Sequence, residues 1–246
     1  MTVFVLLHGM WHGGWCWQKV APLLRSAGHE VYTPTLTGLG ERVHVQYPDL
    51  DLNTHIQDIV NLFEYEDLHA AILVGHSFGG TLAPIIADRI PDRIAHLVNL
   101  DGPLAADGKA LKDLIGDSWD FILQNAVAPG DEQRIQPIPD WTFGITGADL
   151  AWFRSKLTPH PRKPLTTPIL LTDSAARMIP RTFIACVEGL SVEQHAAEAQ
   201  RYADLGWEYC SLPTGHDAMI TMPEALAGIL LDLVQLHRPP RQGMDS

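Results

Sequence analysis

The serine in Gly75-His76-Ser77-Phe78-Gly79 follows the apolar run 71–74 and precedes a helical stretch. In a strand–turn–helix context, a G-x-S-x-G sequence strains the serine backbone and lifts its hydroxyl above the strand end. Glycines at 75 and 79 let strand and helix approach closely. The N–H of Phe78 then opens the helix, aimed at any oxyanion that forms beside Ser77. The bland alternative is a glycine-rich turn that merely ends a strand. A second segment, His8-Gly9-Met10-Trp11-His12-Gly13-Gly14, follows the first apolar run. Its glycines allow a loop that offers another backbone N–H, that of Met10, to the same oxyanion. A metal at His8 and His12 would need a third ligand that nothing in the sequence brings near, so no metal is assigned.

The proton acceptor for such a serine comes last in chain order. Thr214-Gly215-His216-Asp217 lies between a strand at 207–212 and a final helix at 223–236. Imidazole there can take the Ser77 proton near neutral pH. Among the twelve histidines the rival is His76, whose side chain is expected to point away from the hydroxyl. Together these residues describe nucleophilic attack on a carbonyl through a covalent intermediate.

The elements that must position them alternate. Strands are expected at 3–7, 30–33, 71–74, 94–100, 181–187 and 207–212. Helices are expected at 17–27, from a cap at Asn53 through 66, and at 81–90, 192–205 and 223–236. Strands apolar on both faces and separated by helices imply an α/β architecture, a mostly parallel sheet with helices on both faces. Pro84 should cost the third helix its hydrogen bond to Gly80 and kink it. Prolines and aromatics crowd 102–180 without a strand rhythm, which reads as a small helical cap inserted into one domain spanning 1–246. The aromatics Trp11, Trp15, Trp119, Trp141 and Trp152 either line a pocket or fill the core. Trp11, Trp141 and Trp152 are carried forward as substrate-binding candidates.

With these pieces placed, the sequence resembles the α/β-hydrolase superfamily, in the compact branch of plant methylesterases, hydroxynitrile lyases and related bacterial esterases. The resemblance spans nearly the whole chain. It is strongest at His8 to Trp17 and at Gly75 to Gly80, and visible again in Pro34-Thr35-Leu36-Thr37-Gly38-Leu39-Gly40-Glu41-Arg42. It implies a Ser–His–acid triad, no cofactor and a small ester-like substrate under the cap. Members of this branch carry an aspartate at the place that here reads Gly189, with Glu188 beside it. Glu188 is therefore the first choice for the acid, and Asp101, at the end of 94–100, the second. The implied activity is hydrolysis of a small carboxylic ester, carbamate or amide. Two alternatives stand beside it: a non-hydrolytic binding protein on the same fold, and a hydroxynitrile lyase. The family's lyases place a lysine after the triad histidine and a threonine in the first loop. Here those places read Asp217 and Gly9 or Met10, and an anionic Asp217 would repel departing cyanide.

Composition narrows the partners. Across 246 residues, 17 Lys and Arg against 29 Asp and Glu leave a formal charge of −12, with no basic cluster for nucleic acid. Hydrophobic residues at 46% and charged residues at 19% describe a globular chain. The apolar start is too short for a signal core or a membrane span. Cys16, Cys186 and Cys210 share no ligand spacing and read as reduced thiols of a cytoplasmic protein.

Overall fold

The computed structural model describes residues 1–128, 130–172 and 175–236, apart from the side chains of Asp140 and Trp141. β1 (Val3–Leu7) leads through α1 (Ala21–Ser26) to β2 (Glu30–Tyr32). Next come α2 (Leu52–Tyr65), β3 (Ala71–His76), α3 (Phe78–Arg89) and β4 (Ile94–Leu100). An intervening segment holds α4 (Leu111–Leu114), α5 (Asp117–Ala126), β5 (Arg134–Ile135), α6 (Ala148–Lys156), β6 (His160–Pro161) and α7 (Lys163–Thr166). The alternation then resumes with β7 (Arg181–Cys186), α8 (Val192–Asp204), β8 (Glu208–Leu212), α9 (Ala218–Thr221) and α10 (Pro223–Leu236).

Six strands form one parallel sheet in the order β2-β1-β3-β4-β7-β8. β3 is buried along its whole length, and Phe4 to Leu7 of β1 have no exposed surface. This is why both strands read as continuous apolar runs rather than alternating ones. The chain leaves β1 toward β2 and returns on the other side through β3. Loops at the carboxyl ends of β1 and β3 therefore diverge and open a crevice, the usual ligand site of such sheets.

Several local details depart from the sequence reading, among them the start of the helix expected at 81–90, which begins at Phe78. α2 begins earlier than Asn53. Asp51 caps it, accepting from the Thr54 N–H at 3.2 Å, while the Asp51 N–H donates back to the Thr54 hydroxyl at 3.3 Å. The 17–27 helix divides into a 3-10 turn, Gly14–Trp17, and α1, which carries Pro22 in its first turn. The intervening segment is not purely helical. β5 and β6 pair antiparallel, Arg134 with Pro161 and Ile135 with His160, and strands of two residues are too short to show an alternating pattern. Pro84 does sit inside α3. The Gly80 carbonyl that it deprives of a donor accepts from Asn99 Nδ2 at 3.3 Å instead. Among the described residues, no helix is long and apolar enough to cross a membrane.

Candidate active site

Ser77 caps α3 with φ 53° and ψ −118°, a conformation that non-glycine residues seldom hold. Its neighbours explain the cost. A Cβ on Gly75 would lie 2.0 Å from the Gly79 carbonyl oxygen, and one on Gly79 would lie 2.7 Å from that of His8. Only glycine admits so tight a turn. The Ser77 N–H is held by Leu100 O at 3.0 Å, which ties the turn to the end of β4. Trp11 and Asp101 also adopt positive φ, 65° and 52°. The three strained residues follow β1, β3 and β4, and all three line one cavity.

His216 reaches that cavity from the loop after β8. Its Nδ1 lies 2.6 Å from Asp101 Oδ2, and Asp101 Oδ1 accepts from the Cys186 N–H at 3.0 Å. With Nδ1 donating to a carboxylate, a neutral ring presents Nε2 as its accepting nitrogen. Burial opposes the charged ring, but the hydrogen bond and charge of Asp101, with the charge of Asp217, outweigh it and raise the His216 pKa. The side chain keeps 29% of its surface, so the desolvation is incomplete and the upward direction is the stronger for it. Ser77 and His216 share the cavity wall, while among the described residues no hydrogen bond joins them.

Of the two candidate acids, the structure places Asp101 and not Glu188 against His216 Nδ1. Glu188 does not meet His216. β7 ends at Cys186, the chain turns with Leu190 N–H bonded to Val187 O, and Glu188 is exposed. Its Oε2 lies against the Gly215 backbone, whereas His216 Nδ1 goes to Asp101.

The first glycine loop is fixed from behind. His8 Nδ1 donates to Gly9 O at 2.8 Å, and its Nε2 accepts from the Leu36 N–H at 3.1 Å. In a trans peptide, C=O and N–H point oppositely, so holding Gly9 O outward turns the Met10 N–H the other way. Burial pushes the His8 pKa down to about 3, which keeps this tautomer neutral. Phe78 N–H opens α3 and has no preceding turn to bond. Met10 and Phe78, both buried, line the cavity with Ser77.

The cavity encloses about 260 Å³. Leu111, Ile115, Ile122, Ile138 and Phe143 wall it on the side of the intervening segment, where Ser118 and Thr142 are the polar side chains among the described residues. None of these wall residues was singled out by sequence, because that segment lacks the periodicity that marks a buried face. Of the three tryptophan candidates, Trp11 lines the cavity and donates from Nε1 to Ile135 O at 3.0 Å. Trp152 does not; it packs edge-on against Trp15 at 5.3 Å. The Trp141 side chain lies outside the described residues. Trp119 is buried in the core rather than on the wall. Among the described residues, no group of three His, Cys, Asp or Glu side chains could hold a metal ion.

Residues 4–229 match the model of the alpha/beta hydrolase family. A carbendazim-hydrolysing esterase from a Nocardioides species is 36% identical over 92% of this chain and 97% of its own length. Methylesterase 7 of Arabidopsis thaliana is 28% identical over 95% of this chain and 96% of its own. Among solved structures, an extracellular alpha/beta-hydrolase from a Paenibacillus species superposes with a TM-score of 0.80 at 25% identity. It covers 94% of this chain and 98% of its own, and is described as sharing structural and functional homology with tobacco salicylic acid binding protein 2.

Proposed function

The chain belongs to the alpha/beta hydrolase family and is an ester-cleaving hydrolase, and we propose that it works through an acyl-enzyme on Ser77. His216 is the base in this reading, Asp101 the acid that orients it, and the N–H groups of Met10 and Phe78 form the oxyanion hole. The observation that carries it is the 2.6 Å contact between His216 Nδ1 and Asp101 Oδ2, beside a serine held in the strained turn. Ser77 Oγ attacks the ester carbonyl carbon and passes its proton to His216 Nε2. The carbonyl π electrons move to oxygen, where the two N–H groups receive them. Collapse breaks the C–O bond, and the alcohol leaves with the proton from His216. Water, deprotonated by the same nitrogen, then attacks the acyl carbon; the bond to Ser77 Oγ breaks, Oγ takes the proton back from His216, and the acid leaves.

The substrate half of the reading rests on the walls. A mostly apolar wall on the side of the intervening segment, with no lysine or arginine among the described lining residues, suits a small uncharged ester. The relative that hydrolyses carbendazim supports extending the substrate class to carbamates. Three unpaired cysteines suit a reducing compartment such as the cytoplasm.

The test is a p-nitrophenyl ester burst together with labelling by a phosphonofluoridate, followed by a panel of methyl, aryl and carbamate esters. A stoichiometric burst and a label on Ser77 are expected. A folded protein that shows neither would leave the fold serving binding alone.

A further inference from the structure

Beside the cavity lies a buried polar cluster that the acyl-enzyme scheme does not use. Asp217 follows His216 and has no exposed surface, and neither of its carboxylate oxygens has a regular hydrogen bond. Its Oδ1 faces two imidazoles, His12 Nε2 at 3.5 Å and His76 Nε2 at 3.4 Å. His12 belongs to the loop that carries Met10, and His76 is the residue before Ser77. One carboxylate thus adjoins all three segments that bring Met10, Ser77 and His216 together.

The protons in this cluster follow from its acceptors. His12 Nδ1 lies 2.5 Å from Met10 O, and a carbonyl oxygen only accepts, so Nδ1 carries a proton. His76 Nε2 lies 3.0 Å from His216 O and carries a proton for the same reason. That N–H also faces Asp217. A neutral His12 with its proton on Nδ1 would turn the Nε2 lone pair toward a carboxylate, which repels. The contact is attractive only with a second proton between His12 and Asp217.

His76 does not supply the positive charge. Burial, with the nearby charge of His216, drives its pKa well below the ordinary histidine range. Burial works to raise the Asp217 pKa, but His12 close beside it, with the charges of His76 and His216, outweighs it and lowers it. Cys16 and Cys186, the other titratable groups near this carboxylate, stay thiols because burial pushes both upward.

We propose that His12 and Asp217 hold one proton between them as a buried imidazolium–carboxylate pair, and that this pair positions the Met10 loop against the His216 loop. A buried carboxylate without a charged partner is costly, and breaking one half of such a pair leaves the other uncompensated. The pair also sets charge around the base, since the anionic oxygens next to His216 favour its protonated form.

The primary test does not depend on turnover. Nitrogen-15 spectra of the histidine-labelled protein, with the His12 signals identified through His12→Gln, should show both His12 ring nitrogens protonated at pH 8. Asp217→Asn should leave only one protonated. A singly protonated His12 in the unsubstituted protein at pH 8 overturns the pair, whether or not Asp217→Asn folds.

The positioning role rests on the acyl-enzyme reading and is measured with p-nitrophenyl acetate. Asp217→Asn should lower kcat on the order of tenfold to a hundredfold, as misplaced reacting groups do, with KM changed less than about threefold. The acid limb of kcat/KM should also move to lower pH, because the lost carboxylate acts on His216 more strongly than the His12 charge that leaves with it. A loss of thermal stability with that limb unmoved would reduce Asp217 to a structural residue and overturn its role in positioning. Failure of the unsubstituted protein to hydrolyse any ester would count against the acyl-enzyme reading and the positioning role that rests on it, while the spectra still decide the pair.

Discussion

Asp101 and Glu188 differ by whether a strand end presents the carboxylate or a turn carries it away. Asp101 takes the positive-φ position directly after β4, one oxygen fixed by the Cys186 N–H and the other on His216. Asp101→Asn should therefore lower kcat by a factor on the order of 10⁴, because the amide can hold the wrong imidazole tautomer and cannot balance imidazolium. Glu188→Gln should change it by no more than about threefold, as an exposed side chain without that contact. Comparable losses in the two variants would remove the distinction. The same contact governs pH. In the proposed mechanism His216 must be neutral to accept the Ser77 proton, and its pKa is raised above 6.5, the ordinary histidine value. kcat/KM should accordingly rise with pH to a midpoint above 6.5 in wild type, and the midpoint should fall in Asp101→Asn. A profile flat from pH 5 to 8 would exclude His216 as the base. The sequence singles out Ser77 and His216, which line one cavity, because each stands in a local pattern, a glycine-flanked turn and a loop after the last strand. Which carboxylate meets His216 Nδ1 was not legible, since it depends on how β4 and β7 end side by side, far apart in the chain.

At the scale of elements, strands read well because burial on both faces makes them continuous apolar runs, and helix ends read less well. Asn53 and Asp51 are both good caps by type. Asp51 wins because Thr54 stands three residues on and returns the hydrogen bond, while Asn53 turns its amide to Asp51 Oδ2 at 3.2 Å. The Pro84 break was legible, but what repairs it was not. Asn99, 1% exposed on β4, donates to Gly80 O and accepts from the Gly102 N–H at 2.8 Å. One side chain thereby joins the helix after Ser77 to the turn that carries Asp101. A Cβ on Gly80 would lie 2.4 Å from Asn99 Oδ1, so the two are packed as closely as a glycine permits. Asn99→Ala leaves a buried carbonyl and a buried N–H without partners and should cost roughly 2 to 4 kcal/mol. Urea unfolding measures this directly. A cost below about 0.5 kcal/mol would mean that other groups or water satisfy both.

The whole molecule carries its histidines in an arrangement that fixes how it must respond to acid. His8, His55, His76 and His160 are fully buried, and each has one ring nitrogen against a backbone carbonyl. Those carbonyls are Gly9 O at 2.8 Å, Thr37 O at 2.9 Å, His216 O at 3.0 Å and Pro161 O at 2.7 Å. The second nitrogen of His55, His76 and His160 has no hydrogen-bond partner, and that of His8 already accepts from Leu36. A second proton on any of them would find no acceptor. Desolvation accordingly lowers all four pKa values, His8 to about 3. The linkage has a definite sign. A histidine whose folded pKa lies below its unfolded 6.5 binds more protons when unfolded, so it stabilises the fold above 6.5 and loses that stability as pH falls. Each ring contributes a slope approaching about 1.4 kcal/mol per pH unit below 6.5. His216, with its raised pKa, acts oppositely, and only above 6.5. Against a total stability of about 5–15 kcal/mol, rings that each resist protonation in the fold should weaken the protein markedly as pH falls below 6.5. The free energy of unfolding in urea should fall steeply between pH 7 and pH 5, and His160→Asn should flatten that fall while keeping a donor for Pro161 O. A stability unchanged from pH 7 to pH 5 would mean that the buried rings accept protons in the folded state, against the desolvation that lowers all four pKa values.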